Sequence, residues 1–383
     1  MKDLGIYIHF PFCSNICSYC DFVVDKNLNL IDKYIDTLII EIENKSNSLQ
    51  SLNDYQIKTI YFGGGTPSLM SESHLQRVLS SLKDNFNLNN VEEISLESNP
   101  NSIPIDKLNN IHNLGVNRLS IGVQTFIKRE LGVLKRNHSP KKALSAINEA
   151  LSIGFDSVNI DLIYSIPNQS EDDWKYNLNI IKDLEIDHIS CYNLTYEENT
   201  PLYKKLIDGK INKNNEEFES DLYLYTSNYL EKLGFEHYEV SNYAKEDKRC
   251  KHNLSIWENN EYLGFGVGAH WKFNNIRYEN TRNLKVYIES VNNNLNYQNI
   301  KELSSVELFE EYIILGLRSQ GVGVDYLEKF LNKKFKLKEN KILINLIENE
   351  FLQINNLNIK LTNKGYLFAD SISYEIMKII NLI

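Results

Sequence analysis

The stretch Y-I-H-F-P-F-C-S-N-I-C-S-Y-C-D-F (residues 7–22) contains three of the five cysteines in a chain of 383 residues. Their spacing is C-x3-C-x2-C, at Cys13, Cys17 and Cys20. The residues just before the first cysteine form an apolar run that is typical of a buried strand, and Pro11 then favours a turn. We therefore expect the three thiols on one loop, at the carboxyl end of the first strand.

Thiols this close together need a shared electrophile. Iron–sulfur clusters are held by cysteine thiolates, and three ligands would leave one iron without a protein ligand. An open position of this kind is usually associated with chemistry rather than with structural metal binding. The alternative is a structural zinc site with His9 or Asp21 as the fourth ligand. The spacing favours an iron–sulfur cluster but leaves zinc open.

Composition and charge limit the classes of protein that the chain can represent. The net charge of −10 gives no general support to nonspecific nucleic-acid binding, which depends on lysine and arginine. No run approaches the roughly 20 apolar residues that span a bilayer, and the first residues, M-K-D-L-G-I-Y-I-H-F, lack the organisation of a signal peptide. We therefore expect a cytoplasmic protein without a membrane span, in which thiols stay reduced.

Strand-like runs alternate with helical patterns over the first 200 residues. The runs lie at 5–10, 57–62, 92–97, 117–122, 157–162 and 188–194. The helical patterns lie near 29–50, 72–85, 104–113, 140–153 and 171–183. This order predicts a parallel sheet, curled or open. If the sheet curls like a barrel, functional residues should gather at the carboxyl ends of its strands.

After about residue 200 the alternation ends. The pattern predicts a polar helix at 214–233, a strand at F-E-H-Y-E-V (235–240) and an irregular aromatic and glycine-rich segment at 241–282. From about residue 302 the order is helix, helix, hairpin and helix, with Ser304 or Ser305 as the first cap. This order is typical of a small winged-helix-like domain. We therefore predict three parts, at 1–200, 201–300 and 301–383.

The cysteine loop resembles that of the radical S-adenosylmethionine (SAM) superfamily. More narrowly, it is similar to the branch that contains oxygen-independent coproporphyrinogen III dehydrogenases and HemW-type heme chaperones. The resemblance runs from Gly5 to about Arg318. It implies an α/β fold, a partial (β/α)6 barrel with a C-terminal α+β extension and the winged-helix-like domain. It also implies a [4Fe–4S] cluster on Cys13, Cys17 and Cys20, with SAM chelated at the open iron.

Glycine and polar residues at the predicted strand ends match the family's SAM-contacting positions. Y-F-G-G-G-T-P-S (61–68) follows the second strand, and consecutive glycines let the backbone approach a ligand. Taken singly, the polar residues would equally suit a surface or a helix cap. The resemblance implies SAM contacts at Tyr7, Tyr19, Gly64, Gly65, Thr66, Glu97, Gln124, Arg136, Asp161 and Thr195, with His138 completing an R-x-H pattern.

Y-S-I-P-N-Q (164–169) departs from the family pattern. Relatives commonly have glycine at the positions of Ser165 and Asn168. Asn tolerates a left-handed backbone, so we expect the turn to survive. The departure weakens any role for Gln169.

Two features separate the members of this branch. The dehydrogenases typically have a fourth cysteine two residues after the third, whereas the heme chaperones have C-x-F, and Phe22 stands at that position here. The short segment before Cys13 also differs from the dehydrogenases, which carry an additional N-terminal segment. K-H-N-L-S-I-W (251–257) is similar to the H-N-x-x-Y-W element of the chaperones, with Ile256 in place of tyrosine. Imidazole is a common axial ligand of heme, and the resemblance makes His252 the predicted heme contact, ahead of His237 and His270; the alternative for His252 is a structural histidine bonded to backbone.

Three functions compete. The favoured one is a heme chaperone that binds heme and hands it to apo-hemoproteins such as respiratory enzymes, at the membrane surface where those are membrane-bound, with an electron donor for the cluster and no catalytic residue assigned. The second is a coproporphyrinogen III dehydrogenase or another radical SAM oxidoreductase of porphyrin metabolism. The third is a nucleic-acid binder, suggested by the basic run K-K-F-K-L-K-E-N-K (333–341), although such a run is more often a solvated helix face.

Overall fold

A computed structural model describes residues 1–49, 52–332, 334 and 340–379. The strands are β1 (Lys2–Phe10), β2 (Tyr55–Gly64), β3 (Glu93–Ser98), β4 (Arg118–Gln124), β5 (Ser157–Tyr164), β6 (His188–Asn193), β7 (Glu236–His237), β8 (Asn242–Ala244), β9 (Tyr262–Phe265), β10 (His270–Phe273), β11 (Ile276–Asn280), β12 (Gln298–Glu302), β13 (Val322–Gly323), β14 (Leu352–Asn355) and β15 (Asn358–Leu361).

The helices lie between these strands and after them. They are α1 (Ile31–Ser48), α2 (Glu72–Asn85), α3 (Ile105–Asn113), α4 (Lys128–Leu134), α5 (Pro140–Ile153), α6 (Glu171–Lys182), α7 (Pro201–Ile207), α8 (Glu216–Lys232), α9 (Lys251–Trp257), α10 (Leu284–Asn292), α11 (Ser305–Leu317), α12 (Val324–Leu331), α13 (Lys341–Glu348), α14 (Asn363–Tyr366) and α15 (Ala369–Ile379). None of the helices in the described part of the chain combines the length and apolar character needed to cross a membrane.

The six predicted strands form the parallel centre of one large sheet. β1 to β6 pair in chain order, each parallel to the next. Side chains from β2 to β6 line a single small cavity, so the sheet curls around an interior. The curl does not close, because the far edge of β6 pairs with β8 and the free edge of β1 pairs with β9. The partial barrel predicted for this part is confirmed.

Alternation along the strands separates an apolar outer face from a polar interior. In β1, Leu4, Ile6 and Ile8 are fully buried in the hydrophobic core, whereas Tyr7 and His9 point the other way because successive side chains alternate across a strand. The interior faces of β3 to β6 carry charged, amide and hydroxyl groups. The barrel interior is therefore a polar chamber rather than an apolar core.

The segment after residue 200 extends the sheet at both edges. β8 and β7 continue it beyond β6, and β9 to β12 continue it beyond β1. The helix predicted at 214–233 is confirmed as α8. The predicted strand at 235–240 is wrong in length, because only Glu236–His237 pairs as β7. α4 was not predicted, since a seven-residue helix with an internal glycine gives little periodic signal.

A buried ion pair on α1 joins this extension to the barrel. Glu41 is fully buried and accepts hydrogen bonds from the Gly266 amide (2.7 Å), the Asn280 side chain (2.8 Å) and the Tyr287 hydroxyl (2.6 Å). Lys45 donates to Glu41 (3.2 Å) and to the Gly264 carbonyl. The pair therefore fixes the turn between β9 and β10 against α1.

The C-terminal part contains helices around a small sheet. α11 begins after Ser304, whose hydroxyl and backbone form a reciprocal capping box with Glu307. The predicted hairpin is confirmed as β14 and β15, which pair antiparallel, and β13 adds a third strand. This arrangement agrees with the winged-helix prediction, while the boundaries at 200 and 300 remain predictions. Most of the basic run 333–341 lies outside the described residues.

Candidate functional site

The cysteine loop leaves the carboxyl end of β1, as predicted. Backbone hydrogen bonds close the loop at its base, from the Cys13 amide to the Asp25 carbonyl (3.0 Å) and from the Asp25 amide to the Pro11 carbonyl (2.7 Å). The Gly65 amide donates to the Phe10 carbonyl (2.8 Å), which brings the glycine turn beside the loop. All three thiols are free, Cys13 being buried and the other two half-buried.

Polar side chains from other strand ends contact two of the thiols. The Thr66 hydroxyl lies 3.3 Å from the Cys13 sulfur, and the Arg136 guanidinium donates to the Cys17 sulfur at 3.4 Å. Asn99 joins the two, because its side chain donates to Thr66 (2.9 Å) and accepts from Arg136. A neighbouring cation favours the thiolate form of a cysteine. Asn99 directly follows β3 but was not among the predicted site residues.

Three cysteine thiols on one loop suit an iron–sulfur cluster, which cysteine thiolates hold. Burial raises the pKa of Cys20 to about 11, so a bound metal would be what keeps that sulfur deprotonated. Of the two candidates for a fourth zinc ligand, His9 contacts the Tyr7 hydroxyl (3.2 Å) and the Val23 carbonyl (2.9 Å), whereas Asp21 is exposed and lies 3.7 Å from Arg282. Among the described residues, no three His, Cys, Asp or Glu side chains are placed to hold one ion.

The glycine turn and Glu97 form the next part of the site. Gly64 has φ of 110°, and a Cβ atom there would lie 2.6 Å from the His9 ring. The Gly64 amide donates to Oε2 of Glu97 (3.1 Å), and the Tyr61 hydroxyl donates to Oε1 (2.9 Å). Burial, helped by the nearby Asp161 carboxylate, raises the pKa of Glu97 to about 7. Glu97 is therefore a carboxylate that can change charge near neutral pH.

Asp161 lies across the interior on β5. Its oxygens accept hydrogen bonds from Ser120 (3.1 Å) and Asn159 (2.8 Å), and burial raises the pKa of this carboxyl group. The interior below Asp161 and Glu97 contains a cavity of about 50 Å³, lined mostly by polar groups. They are Tyr61, Glu97, Arg118, Ser120, Asn159, Asp161, His188, Ser190, Tyr192, Asn242, Cys250 and Asn253. A larger cavity of about 630 Å³ lies beside the small C-terminal sheet, away from the cysteines.

Gln124 and Arg136 meet at the end of β4. Gln124 is buried with φ of 68°, where the pairing of β4 with β5 shifts register. Arg136 donates to the Gly122 carbonyl at 2.5 Å, and a Cβ atom on Gly122 would approach both side chains, at 2.9 Å and 3.1 Å. Glycine at position 122 therefore leaves room for the Gln124 amide and the Arg136 guanidinium at the end of β4.

The remaining predicted SAM positions differ in how closely they join this group. The Tyr7 ring stacks on Tyr61 with centroids 6.2 Å apart. Tyr19 is half-buried and packs against an apolar cluster that includes Leu134 and Leu194. Thr195 is exposed, two residues after β6 ends. Tyr7 thus packs within the group around Glu97, whereas Thr195 lies on the surface beyond the end of β6.

The turn that departs from the family pattern keeps its backbone. Ser165 and Asn168 both have φ of 62°, so the left-handed conformation expected there is confirmed. The Gln169 side chain donates to Glu130 (3.1 Å), and His138 contacts the Val123 carbonyl (3.1 Å). The contact of His138 supports the backbone of β4.

His252 lies inside the barrel rather than on its surface. The Lys251 and His252 amides at the start of α9 donate to Glu93, at 2.8 Å and 3.2 Å. The His252 ring stacks on Tyr61 (5.1 Å), and its Nδ1 lies 2.8 Å from the Thr59 hydroxyl. Burial lowers the pKa of His252 to about 4, so the ring is neutral. Its Nε2 has no partner within the described structure, and a macrocycle could reach that nitrogen only if α9 moved.

The other predicted histidines and Phe22 occupy different surroundings. His237 is buried, contacts Ser227 (3.2 Å) and stacks on Tyr243 (4.2 Å). His270 is exposed and lies 3.6 Å from Glu279. Phe22 is 67% exposed beside the third cysteine, so this position presents an aromatic ring to solvent.

The sequence is similar to known proteins along most of its length. The model of the Radical SAM superfamily matches residues 7–181. The heme chaperone HemW of Lactococcus lactis subsp. lactis (strain IL1403) is 34% identical over 97% of this chain and 96% of its own. The heme chaperone HemW of Bacillus subtilis (strain 168) is 31% identical over 96% of this chain and 97% of its own.

A solved structure shares the fold over nearly the whole chain. The coproporphyrinogen III oxidase HemN from Escherichia coli, described as a radical SAM enzyme, has a TM-score of 0.83 and 24% identity. The match covers 97% of this chain and 89% of that one. At this identity the likeness concerns the fold and does not decide between activities.

Proposed function

Because the chain belongs to the radical SAM superfamily and, within it, to the family of HemW heme chaperones, we propose that it binds heme and transfers it to apo-hemoproteins. The observation that carries the proposal is the likeness to two heme chaperones along more than nine-tenths of each chain. Phe22 adds to it, since the related dehydrogenases typically have cysteine at that position.

The cofactor site is proposed on the residues at the carboxyl ends of the strands. Cys13, Cys17 and Cys20 would hold a [4Fe–4S] cluster, with Arg136 stabilising the Cys17 thiolate. When bound, the cluster and SAM supply one-electron chemistry to the site. The amides of the glycine turn, together with Glu97 and Asp161, would orient SAM by hydrogen bonds.

The heme contact is proposed at His252. Its neutral ring and unpartnered Nε2 suit a metal ligand, since neutral imidazole is the form that ligates iron. The ring is only 2% exposed, so heme ligation there requires α9 to move away from β2. His252→Ala should therefore change the heme Soret band and weaken transfer, whereas an unaltered spectrum would place the ligand elsewhere.

Recipients and location follow from the same proposal. The recipients are apo-hemoproteins, with membrane-bound respiratory enzymes as the specific candidates, and an electron donor would reduce the cluster. We propose that the chain acts in the cytoplasm and meets membrane-bound recipients at the membrane surface.

One assay separates this function from the second candidate, a coproporphyrinogen III oxidase. Anaerobically reconstituted protein would be incubated with coproporphyrinogen III, SAM and a reductant. We expect no protoporphyrinogen IX, together with saturable heme binding by the same preparation. Formation of protoporphyrinogen IX would overturn the chaperone proposal.

A further inference from the structure

We propose that Tyr61 and His252 are positioning residues of the SAM site: His252 fixes the Tyr61 ring, and Tyr61 orients the Glu97 carboxylate. The inference rests on the proposed function, because Glu97 is assigned to SAM there. It gives Tyr61 a role and gives His252 a second role besides heme contact.

The contact between Tyr61 and Glu97 is a hydrogen bond to a charged group. The Tyr61 hydroxyl donates to Oε1 of Glu97 (2.9 Å), while the Gly64 amide occupies Oε2 (3.1 Å). With one donor on each oxygen, the plane of the carboxylate is fixed. Each oxygen keeps a second lone pair for a ligand, and Glu97 lines the interior cavity. Fixing an acceptor in advance removes an ordering cost from binding.

The contact between His252 and Tyr61 holds the Tyr61 ring in place. The His252 ring stacks on it with centroids 5.1 Å apart and an interplanar angle of 25°. His252 is itself fixed, because its Nδ1 is bonded to the Thr59 hydroxyl (2.8 Å). Thr59 and Tyr61 are two residues apart on β2, so both face the interior.

Two glycines leave the space in which these groups meet. A Cβ atom on Gly63 would lie 2.9 Å from Tyr7, 3.0 Å from Tyr61 and 3.2 Å from Glu97. A Cβ atom on Gly5 would lie 3.1 Å from Thr59 and 3.3 Å from His252. A larger residue at either glycine would displace the neighbouring rings. Glycine at these two positions therefore allows the close packing between β1, β2 and α9.

β3 closes the arrangement from the other side. Glu93 accepts the His252 amide, and Glu97 accepts the Tyr61 hydroxyl. The two glutamates are four residues apart on one strand and therefore share a face. β3 therefore contacts the backbone of α9 through Glu93 and the Tyr61 hydroxyl through Glu97.

The test measures SAM affinity by equilibrium dialysis of anaerobically reconstituted protein with wild-type iron content. Tyr61→Phe keeps the ring and removes one hydrogen bond to a charged group, so we expect SAM binding about tenfold weaker. Tyr55→Phe is the matched control, because Tyr55 lies on the same strand and donates to the Glu261 carboxylate away from the site. An unchanged affinity in Tyr61→Phe, or an equal loss in Tyr55→Phe, would overturn the proposal.

The pH profile of SAM binding separates positioning from packing. The groups facing Glu97 are Asp161 on β5, Tyr61 on β2, Tyr7 on β1 and, at longer range, Tyr192 and Cys13. Since the Tyr61 hydroxyl favours the ionised carboxylate, its loss should move the midpoint of SAM binding to higher pH. A residue that only packs would weaken binding at every pH and leave the midpoint where it is, and that result would count against the proposal.

Two substitutions at His252 separate its two roles. His252→Phe retains a planar ring against Tyr61, so SAM affinity should stay within about twofold of wild type, whereas His252→Ala should lose about fivefold. Heme ligation should be lost in both. Equal SAM affinity in the two variants would remove His252 from the proposal.

Failure of the proposed function can be distinguished from failure of the positioning inference. If wild-type protein binds SAM but no heme, the chaperone function is wrong and the positioning result stands. If wild-type protein binds no SAM, the proposed SAM site is wrong, and the positioning inference is wrong with it.

Discussion

Cys17 is one of the three proposed cluster ligands, and the Arg136 guanidinium donates to its sulfur at 3.4 Å. Cys17→Ala should therefore remove the visible absorbance of the reconstituted cluster and lower the bound iron by more than half. Cys191→Ala is the control, since that thiol is buried on β6. A cluster spectrum that survives in Cys17→Ala would refute the assignment of the cysteine loop.

Glu97 gives the site a dependence on pH. Its pKa is about 7 in the folded chain against an ordinary value of 4.5. Binding that needs the carboxylate should therefore strengthen as pH rises from about 6 to about 8 and then level off. Glu97→Gln should bind SAM more weakly and with no such rise. A wild-type affinity for SAM that stays constant across this range would contradict the prediction.

The same residue affects stability in the opposite direction. The folded protein holds the Glu97 proton between pH 4.5 and about 7, whereas the unfolded chain releases it. Stability therefore falls as pH rises through this window. In urea unfolding, Glu97→Gln should gain stability relative to wild type between pH 5 and pH 8. The difference between the two proteins isolates this carboxyl group from the others that titrate.

At the residue scale, the sequence predicts groups that end a strand and misses those that support them. Glu97 and Asp161 are predicted because they lie near the ends of strand-like runs and match SAM-contacting positions of the family that the sequence resembles. Asn99 also follows a strand-like run, but its place in the site depends on contacts with Thr66 and Arg136, which are remote in sequence. Whether Nε2 of a histidine is open to solvent depends on packing, so the enclosure of His252 was not predictable either.

At the scale of elements, a buried ion pair on α1 holds the later segment of the chain against this helix. Glu41 is fully buried and Lys45 is 5% exposed, and together they hold the backbone at Gly264 and Gly266. Glu41→Ala would leave a buried ammonium without its counter-charge and several donors without an acceptor. We expect a loss of about 3–5 kcal/mol in the free energy of unfolding.

The matched comparison for α1 is an exposed pair. Arg77 and Asp36 join α1 to α2 at the surface, where pairs contribute about 0–1 kcal/mol. Chemical denaturation of Glu41→Ala and Asp36→Ala should therefore give clearly different midpoints. Similar midpoints would show that the buried pair does not hold the extension.

Element prediction succeeded where periodicity was strong and failed where elements were short. The six barrel strands and α1, α2, α3, α5 and α6 were found within a few residues, because apolar alternation and capping residues mark them. β7 was predicted too long, since an aromatic run can be buried without pairing. The strand partners of β1 and β6 were not predicted, because pairing between remote segments leaves no local pattern.

At the scale of the whole molecule, the partial barrel explains why one chain combines a cluster loop with a polar interior. The open edges of β1 and β6 are both covered by the segment that carries α9, and α9 carries His252. Tyr61 contacts both the proposed heme contact, His252, and the carboxylate of Glu97. The proposed heme contact therefore lies in the wall of the proposed SAM site.

The most direct test of the central claim is a heme titration of anaerobically reconstituted protein, followed by addition of an apo-hemoprotein. We expect a saturable Soret band and transfer of the heme to the apo-hemoprotein, with no protoporphyrinogen IX formed from coproporphyrinogen III in a parallel sample. A Soret signal that never saturates, or saturating heme that no recipient can remove, would contradict the central claim.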